Sequence, residues 1–532
     1  MVINSSSFLT KIKKLLPSTD SILTRLLRWT KHVGENQTPV VERGLAWTTV
    51  AVFTIRYIVD YIKLNRRMAV LRRHPEQWWC HPIPICTIAH TRAELNVPLI
   101  ERWHRLIRAL EEAVRTKRNF PTESRGTITL SSKELLAWSD TEWITLVQSS
   151  LPMRREMSYI MRSLATNDCN KAISVSCETS ASDGIPNDGA LPFSEVIPIL
   201  KRLWPRFLEF PPHIRHPNRS NDPFQIAVIV PIYKERIETI RKTLLCALSN
   251  CHGSPQGIQI IIVHADSAET TNDDGHGLCE SLKNQLSMSC PKKSTTITNH
   301  ALDSTTWGGL EVIILPSTST CSTNGGRGRT LNAGIEHAQA PILTFLHADT
   351  LVPDGWDVQI QEALFPSQNN NKNDGLKIFP QACAFTMGID MDAAVCWETP
   401  GLLCAQWQGV LRCHCGLPYG DSVLSFTKST LEYIGRYPEQ PLMEDYEVMD
   451  WLRVRSMVLR DETNTPTEGL VLLKGQAKCS PRRWQKYGVA HTSLVNAICI
   501  HRYNHLGVPA EELFDFYYKE PQQQGECTTL KK

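Results

Sequence analysis

An aspartate follows directly on an apolar run in TFLHADTLVP, residues 344–353. The run is typical of a buried strand, and in open α/β sheets ligands bind beside the carboxyl ends of the strands. Asp349 would therefore lie at a ligand-binding edge, where a carboxylate together with phosphate oxygens suits Mg²⁺ or Mn²⁺. The alternative is that Asp349 only caps a turn. His347 either reaches the same metal or packs beside it.

A second acidic pair, Glu444 and Asp445, begins a predicted helix in PLMEDYEVMDWLRVR, residues 441–455. Two interpretations stay open. Acids in the first turn of a helix are stabilised by its dipole, and this alone would explain them. Otherwise one of them is a general base, which requires partial burial or a neighbouring like charge to raise its pKa.

A glycine-rich segment, NGGRGRTLNAG at residues 324–334, is predicted to be a loop between a strand and a helix. It contains neither the dinucleotide-binding GxGxxG nor a Walker A motif. Arg327 and Arg329 are suited to a diphosphate because a guanidinium can donate two parallel hydrogen bonds to phosphate oxygens. The alternative is a solvent-facing loop with two ordinary arginines.

The elements that must position these residues follow an alternating pattern. Continuous apolar, β-branched runs predict strands that are buried on both faces, as in a parallel sheet. They occupy residues 226–231, 258–263, 310–316 and 342–346, with helical patterns at 235–250 and 329–339. This alternation favours βαβ units and an α/β fold. Polar stretches at 266–308 and 367–375 are predicted to be loop insertions.

The composition is that of a soluble globular protein, with 42% apolar and 21% charged residues in a chain of 532. A net charge of +3 gives no argument for a nucleic-acid partner. The 17 cysteines are too sparse for a disulfide scaffold and favour reduced thiols in an intracellular compartment. We therefore expect an intracellular protein.

The N-terminal part divides into a basic segment, 1–43, and a mainly helical region, 44–210, whose function the sequence does not indicate. The basic segment is either an organelle-targeting sequence or an amphipathic surface helix. Residues 45–62 are long enough to span a bilayer but contain Arg56 and Asp60, each of which costs roughly 2.5–3.5 kcal/mol near a helix centre. A buried helix or peripheral membrane association is favoured over a span.

Five motifs occur in order: IAVIVPIYKE, GRGRTLNAG, ILTFLHADT, GLPYGD and PLMEDYE. With SPRRWQKYGV at 480–489, they closely resemble family 2 glycosyltransferases, in particular a mostly bacterial subgroup with FLHAD in place of DxD. The resemblance covers residues 224–518 and leaves 519–532 as a polar tail. It implies a GT-A fold, in which a Rossmann-like, mostly parallel sheet is flanked by helices. It also implies metal-dependent transfer from a nucleotide-diphosphate sugar, usually with inversion.

The resemblance also implies roles for individual residues. Asp349 matches the metal-binding aspartate, and Asp445 matches the base that deprotonates the acceptor, with Glu444 beside it. Asp421 matches an acceptor-side position. The matches on the donor side are Pro231, Glu235, Arg329 and Asn332. The segment that closes over the diphosphate or the acceptor is matched by Arg482, Arg483 and Trp484. These assignments agree with direct displacement, which needs a base on one face of the sugar and stabilisation of the leaving group on the other.

Two departures from the family pattern affect this assignment. The second strand is followed by VHADSAETTND, which has His264 and Ala265 where relatives carry an aspartate that contacts the nucleotide base. Asp266 could substitute, so uridine preference stays open. Ser422 stands where the acceptor-side motif usually has glutamine.

Three functional hypotheses remain at this stage. The first is an active inverting glycosyltransferase, and the second is a nucleotide-binding or scaffold protein whose transferase site has lapsed. A nucleotidyltransferase is disfavoured because no glycine-rich loop follows the first strand. The hydroxyl acceptor is not identified. The apolar stretch 398–420 fits either a lipid-linked acceptor or an ordinary core helix.

Overall fold

The computed structural model describes residues 27, 29–32, 39–74, 97–117, 137–165, 193–207, 224–232, 235–253, 257–264, 309–314, 326–365, 380–393, 399–458 and 469–518. Several sequence predictions lie wholly or largely outside these residues. They are the basic N-terminal segment, the boundary at 210–223, the two loop insertions, the polar tail and Asp266.

Five helices make up the described N-terminal part. They are α1 (Pro39–Arg73), α2 (Leu99–Lys117), α3 (Asp140–Ser149), α4 (Leu151–Ala165) and α5 (Phe193–Phe207). Helix α3 begins with a capping box, in which Ser139 and Glu142 each bond the other's backbone N–H. Large apolar side chains from α2 to α5, among them Trp103, Trp143 and Trp204, form a common core. The predicted helical character of this region is therefore present.

The rest of the described chain alternates strands and helices. The strands are β1 (Ile226–Ile232), β2 (Ile258–His264), β3 (Gly309–Ile314), β4 (Ile342–Phe345), β5 (Thr350–Leu351), β6 (Ala382–Ile389), β7 (Ser425–Thr427) and β8 (Leu470–Cys479). The helices are α6 (Ile237–Ser249), α7 (Gly326–His337), α8 (Trp356–Leu364), α9 (Thr399–His414), α10 (Lys428–Ile434), α11 (Glu444–Val458), α12 (Arg482–Tyr487), α13 (Val489–Leu506) and α14 (Ala510–Tyr518).

The strands form one sheet of eight within the described residues, in the order β3-β2-β1-β4-β7-β6-β8-β5. Strand β1 pairs in parallel with β2 and β4, and β2 pairs in parallel with β3. Strands β6 and β8 are also parallel, whereas β7 is antiparallel to both β4 and β6, and β5 is antiparallel to β8. The predicted α/β fold is confirmed, with a parallel half and a mixed half to its sheet.

Both faces of the sheet are covered by helices, which explains the continuous apolar runs. In β1, Ala227 and Ile229 pack against Leu331 and Ile335 of α7. The alternate residues of the same strand face α6 and α8 on the other side. Because successive side chains of a strand point to opposite faces, a strand covered on both faces must be apolar at every position.

Helix α1 joins the two parts of the molecule. Near its start, Ala46 and Val50 share a core with residues of α9 and β6, while Met68 and Leu71 near its end belong to the core of the N-terminal helices. Helix α11 also reaches that core through Met457. Cores therefore extend across the division between 44–210 and 224–518 that the sequence predicts.

Candidate active site

Two carboxylates meet one guanidinium at the carboxyl edge of the parallel strands. Asp349 lies in the turn after β4, and Glu235 follows β1, the neighbouring strand. Arg482 donates to both oxygens of Glu235, at 3.0 Å each, and its Nη2 lies 3.3 Å from Oδ2 of Asp349. The pairing of β5 with β8 brings Ser480 beside Asp349, whose carbonyl accepts a hydrogen bond of 3.1 Å from the Ser480 N–H.

This pair of acids fits a divalent cation. Burial raises the pKa of Asp349, Arg482 lowers it and Glu235 raises it, with a net rise. A positive charge between the two carboxylates is therefore favourable, and the guanidinium of Arg482 stands where such a charge is needed. Among the described residues, no group of three or more His, Cys, Asp or Glu could hold a metal by itself. An ion here would complete its coordination with water and diphosphate oxygens, as Mg²⁺ commonly does.

A second arginine, Arg327, holds the other acidic pair. Its Nη2 lies 2.7 Å from Oδ2 of Asp445, and its Nε donates to Oε1 of Glu444. The N–H of Gly420 also donates to Oδ2 of Asp445, at 2.9 Å. The side chains of Glu444 and Asp445 are 2% and 13% exposed. The carboxylates are thus enclosed and fixed at the start of α11.

Glu444 has the environment that a general base or acid requires. Burial raises its pKa, Arg327 lowers it and Asp445 raises it again, which brings the pKa to about 7. Both conditions set out from the sequence, burial and a like charge, are therefore met. Helix α11 begins immediately after Met443, whose φ of 68° is in the left-handed region. Such strain at a bulky residue is concentrated at functional sites.

His347 lies against Gly420, close to Arg327, Asp421 and Asp445. A Cβ atom at Gly420 would come within 2.3 Å of Nε2 of His347, so only glycine permits this approach. Burial, together with the nearby Arg327, lowers the pKa of His347 to about 4. The imidazole is therefore neutral near pH 7, whether it contacts a metal or packs beside it.

Asp421 is held by a partner that the sequence did not indicate, Arg412 of α9. Nη2 of Arg412 lies 2.6 and 2.8 Å from the two carboxylate oxygens. Burial alone would raise the pKa of Asp421, but Arg412 outweighs it and the pKa falls. The guanidinium also stacks 4.0 Å from the centre of the Tyr419 ring. Asp421 is thus a charged, oriented group beside Gly420.

Tyr57 of α1 is another residue that the sequence did not identify. Burial raises its pKa and Arg412 lowers it, with a net rise, and its hydroxyl lies close to Arg412 and Tyr419. Its spacing from Val50, Tyr61 and Leu64 places it on the inward face of α1. Periodicity could have indicated that face, but not which distant residues it meets.

Other predicted site residues lie at the same edge with different contacts. Pro231 is near the end of β1, opposite Val263. Arg329 is half-buried in the first turn of α7, which begins at Gly326, where the sequence predicted a loop. Asn332 is 4% exposed, and its amide exchanges two hydrogen bonds with the backbone of Tyr437, at 2.9 and 3.1 Å. Asn332 therefore fixes α7 to that segment.

The two residues that follow Arg482 face away from Glu235 and Asp349. The Arg483 guanidinium lies 3.6 Å from the centre of the Tyr517 ring in α14. Trp484 packs, partly buried, against the cluster that contains Ala46 and Val50 of α1. In this structure the two residues contact α14 and α1, respectively.

Comparison with known proteins gave matches only among solved structures; no family model and no curated protein matches the chain. One match is the mannosyltransferase PcManGT from Pyrobaculum calidifontis in complex with GDP-Man and Mn²⁺, at 14% identity and a TM-score of 0.32, covering 56% of this chain and 70% of that one. Another is S. aureus TarS 1–349 in complex with UDP-GlcNAc, at 11% identity and a TM-score of 0.26, covering 55% and 71%. The fold assignment rests on this chain's own strand order and register.

Proposed function

We propose that this protein is a metal-dependent, inverting glycosyltransferase that moves a sugar from a nucleotide-diphosphate sugar to a hydroxyl acceptor. The observation that supports this most is the presence of two acidic pairs at one sheet edge, each bound to an arginine. The neighbours noted above include structures with GDP-Man and UDP-GlcNAc bound, so a sugar nucleotide is the donor class we propose.

The donor side would be formed by Glu235, Asp349 and Arg482. The two carboxylates would hold Mg²⁺ or Mn²⁺, which when bound supplies positive charge beside the leaving diphosphate. Arg482, once released from the acids, can donate two hydrogen bonds to phosphate oxygens. Its side chain is 58% exposed, so it has room to move.

The acceptor side would be formed by Asp445, Glu444 and Asp421. The acceptor hydroxyl loses its proton to the carboxylate of Asp445 while its oxygen attacks the anomeric carbon. The bond from that carbon to the diphosphate oxygen breaks with its electron pair, so the configuration inverts and no covalent sugar intermediate forms. Arg327 and the Gly420 N–H orient Asp445 for this step.

A second candidate function is a nucleotide-binding or scaffold protein whose catalysis has lapsed. The observation in its favour is that Arg327 and Arg482 already neutralise the acids that catalysis would use. This candidate would bind a donor without turning it over.

Thermal unfolding with UDP-, GDP-, ADP- and dTDP-sugars, each with and without Mn²⁺, tests the proposal. A ligand at a hundred times its Kd stabilises by about 2.7 kcal/mol. We expect one nucleotide class to stabilise the wild type only with Mn²⁺, and Asp349→Asn to abolish this effect. Asp354→Asn, at an exposed acid in the next turn, is the control. No stabilisation by any donor would refute the donor site, and binding without release of nucleoside diphosphate would favour the lapsed enzyme.

A further inference from the structure

Helix α1 has one face that packs along the protein. Its inward positions recur three, four or seven residues apart, so they lie on one side of the helix. They are Ala46, Val50, Tyr57, Leu64, Met68 and Leu71, and they pack at one end with α9 and at the other with the N-terminal helices. The helix is therefore attached to the protein through most of its length.

The opposite face of α1 is apolar and exposed. Ile55 is 62% exposed, and the large apolar side chains on this side lie within three turns of it. This outer face consists of Trp47, Val52, Ile55, Ile58, Val59 and Ile62. Helix α9, which packs beside α1, adds Leu403 and Trp407, which are 43% and 67% exposed. Adjacent exposed apolar residues on this scale mark an interaction surface.

The charges of α1 are arranged beside this face and at its end. Arg56 and Asp60 form an ion pair of 3.6 Å, and Nη2 of Arg56 lies 2.9 Å from Nδ1 of His501 in α13. The charged flank is therefore held by the protein. Beyond it, residues 61–73 contain five basic residues and no acid: Lys63, Arg66, Arg67, Arg72 and Arg73.

We propose that the outer face of α1 binds the surface of an anionic lipid bilayer, with the helix lying in the plane of the membrane. An apolar face buried at the headgroup boundary, next to a basic segment, is the arrangement by which helices bind such surfaces. Length and composition alone would also allow Gly44–Arg73 to cross a membrane. A crossing would expose Tyr57 and the rest of the packed face to lipid, which the observed packing opposes.

A second copy of the chain is a less suitable occupant of this face. A two-fold interface brings the same surface of both copies together. Helix α1 contains seven basic residues but two acids, Glu42 and Asp60, so a second copy of this helix would bring like net charges together. Anionic lipid headgroups carry the opposite charge.

Co-sedimentation of the full chain with vesicles tests this inference. We expect the wild type to bind vesicles that contain phosphatidylserine more strongly than pure phosphatidylcholine vesicles, and high salt to weaken the difference. The double variant I55D/I62D should bind at least about tenfold more weakly, because two apolar side chains no longer enter the bilayer. Ile100→Asp, at an isoleucine of α2 that is 48% exposed, should bind like the wild type. Unchanged thermal unfolding of each variant shows that it folds.

Three results would overturn the inference. The first is a wild type that does not sediment with either vesicle, and the second is equal binding by I55D/I62D and the wild type. The third is retention of the protein in membranes during alkaline carbonate extraction, which would indicate a span. A wild-type dimer that I55D/I62D dissociates, without vesicle binding, would assign the face to a second copy.

Discussion

Arg327 and Asp445 form an ion pair at the start of two helices, with Nη2 of the arginine 2.7 Å from Oδ2 of the aspartate. The sequence places Arg327 in a phosphate-binding loop and Asp445 at the catalytic base, as separate features. In the structure the guanidinium of Arg327 holds the carboxylate of Asp445 in place. The glycine-rich motif and the PLMEDYE motif are thus in direct contact through Arg327.

Replacing Asp445 by asparagine should abolish most turnover, because an amide cannot accept the acceptor's proton. The expected loss in kcat is about 10²- to 10⁴-fold, the range that general base catalysis contributes. Donor binding should persist, which thermal unfolding with the sugar nucleotide measures. Glu336→Gln, at a 63% exposed acid that pairs with Arg436, serves as the control. Full activity of Asp445→Asn would exclude it as the base.

Glu444 should make stability fall as pH rises. Its pKa is about 7 in the folded protein and 4.5 ordinarily, so the folded state binds an extra proton between these values. The free energy of unfolding should therefore decrease by roughly 3 kcal/mol as pH rises through this window. Glu444→Gln has no carboxyl group to titrate at this position, so it should not lose this stability. The free energy of unfolding of the variant minus that of the wild type should therefore rise between pH 4.5 and 7.

Urea denaturation at a series of pH values measures this difference. The exposed Glu432, changed to glutamine, controls for loss of a carboxylate elsewhere. Parallel pH profiles for the wild type and Glu444→Gln would show that Glu444 is not enclosed as described.

Arg482 should compete with metal for Glu235 and Asp349. Removing its charge in Arg482→Gln should strengthen Mn²⁺ binding in the absence of nucleotide by about tenfold, equivalent to 1.4 kcal/mol. Arg483→Gln is the matched control, because the guanidinium of Arg483 lies against the Tyr517 ring and not against the two acids. Calorimetric or spectroscopic Mn²⁺ titration gives both affinities. Equal or weaker binding by Arg482→Gln would mean that the two acids are not the metal site.

The sequence predicted the parallel half of the sheet because burial on both faces leaves a readable pattern. It did not predict that Arg482 meets Glu235, which lies 247 residues earlier in the chain. It also did not show that Tyr57 lies beside Arg412 and Tyr419. Periodicity indicates which face of a helix or strand is buried. It does not indicate which distant residues pack against that face, because this depends on the tertiary arrangement. The sequence therefore singled out both the acids and the arginines, but not which arginine meets which acid.

Gly328 should be intolerant of a side chain. A Cβ atom there would lie 2.0 Å from the carbonyl oxygen of Pro438, so α7 would have to move. We expect Gly328→Ala to destabilise the protein by about 1–3 kcal/mol, as overpacking commonly does, and to displace Arg327. Gly44→Ala in α1 meets nothing within 4 Å and should be neutral or stabilising. Urea denaturation compares the two, and equal stabilities would contradict the close approach.

The ion pair between Arg102 and Glu156 should contribute far more to stability than an exposed pair on the same helix. Arg102 and Glu156 are each 2% exposed, with their atoms 3.0 Å apart, and the guanidinium stacks 3.6 Å from the Tyr159 ring. Arg102→Met would leave the buried carboxylate of Glu156 with the more exposed Arg155 as its ion-pair partner, at 3.3 Å, so we expect a cost of about 3 kcal/mol, the low end for a broken buried pair.

Arg105→Met is the matched control, because Arg105 pairs with Glu101 at 2.8 Å where the two side chains are 28% and 49% exposed. An exposed pair at this spacing is worth only about 0.3–0.5 kcal/mol. Chemical denaturation should therefore show a several-fold larger loss in the free energy of unfolding for Arg102→Met than for Arg105→Met. Similar losses would mean that Glu156 reaches water once Arg102 is gone, so that α2 and α4 do not enclose it.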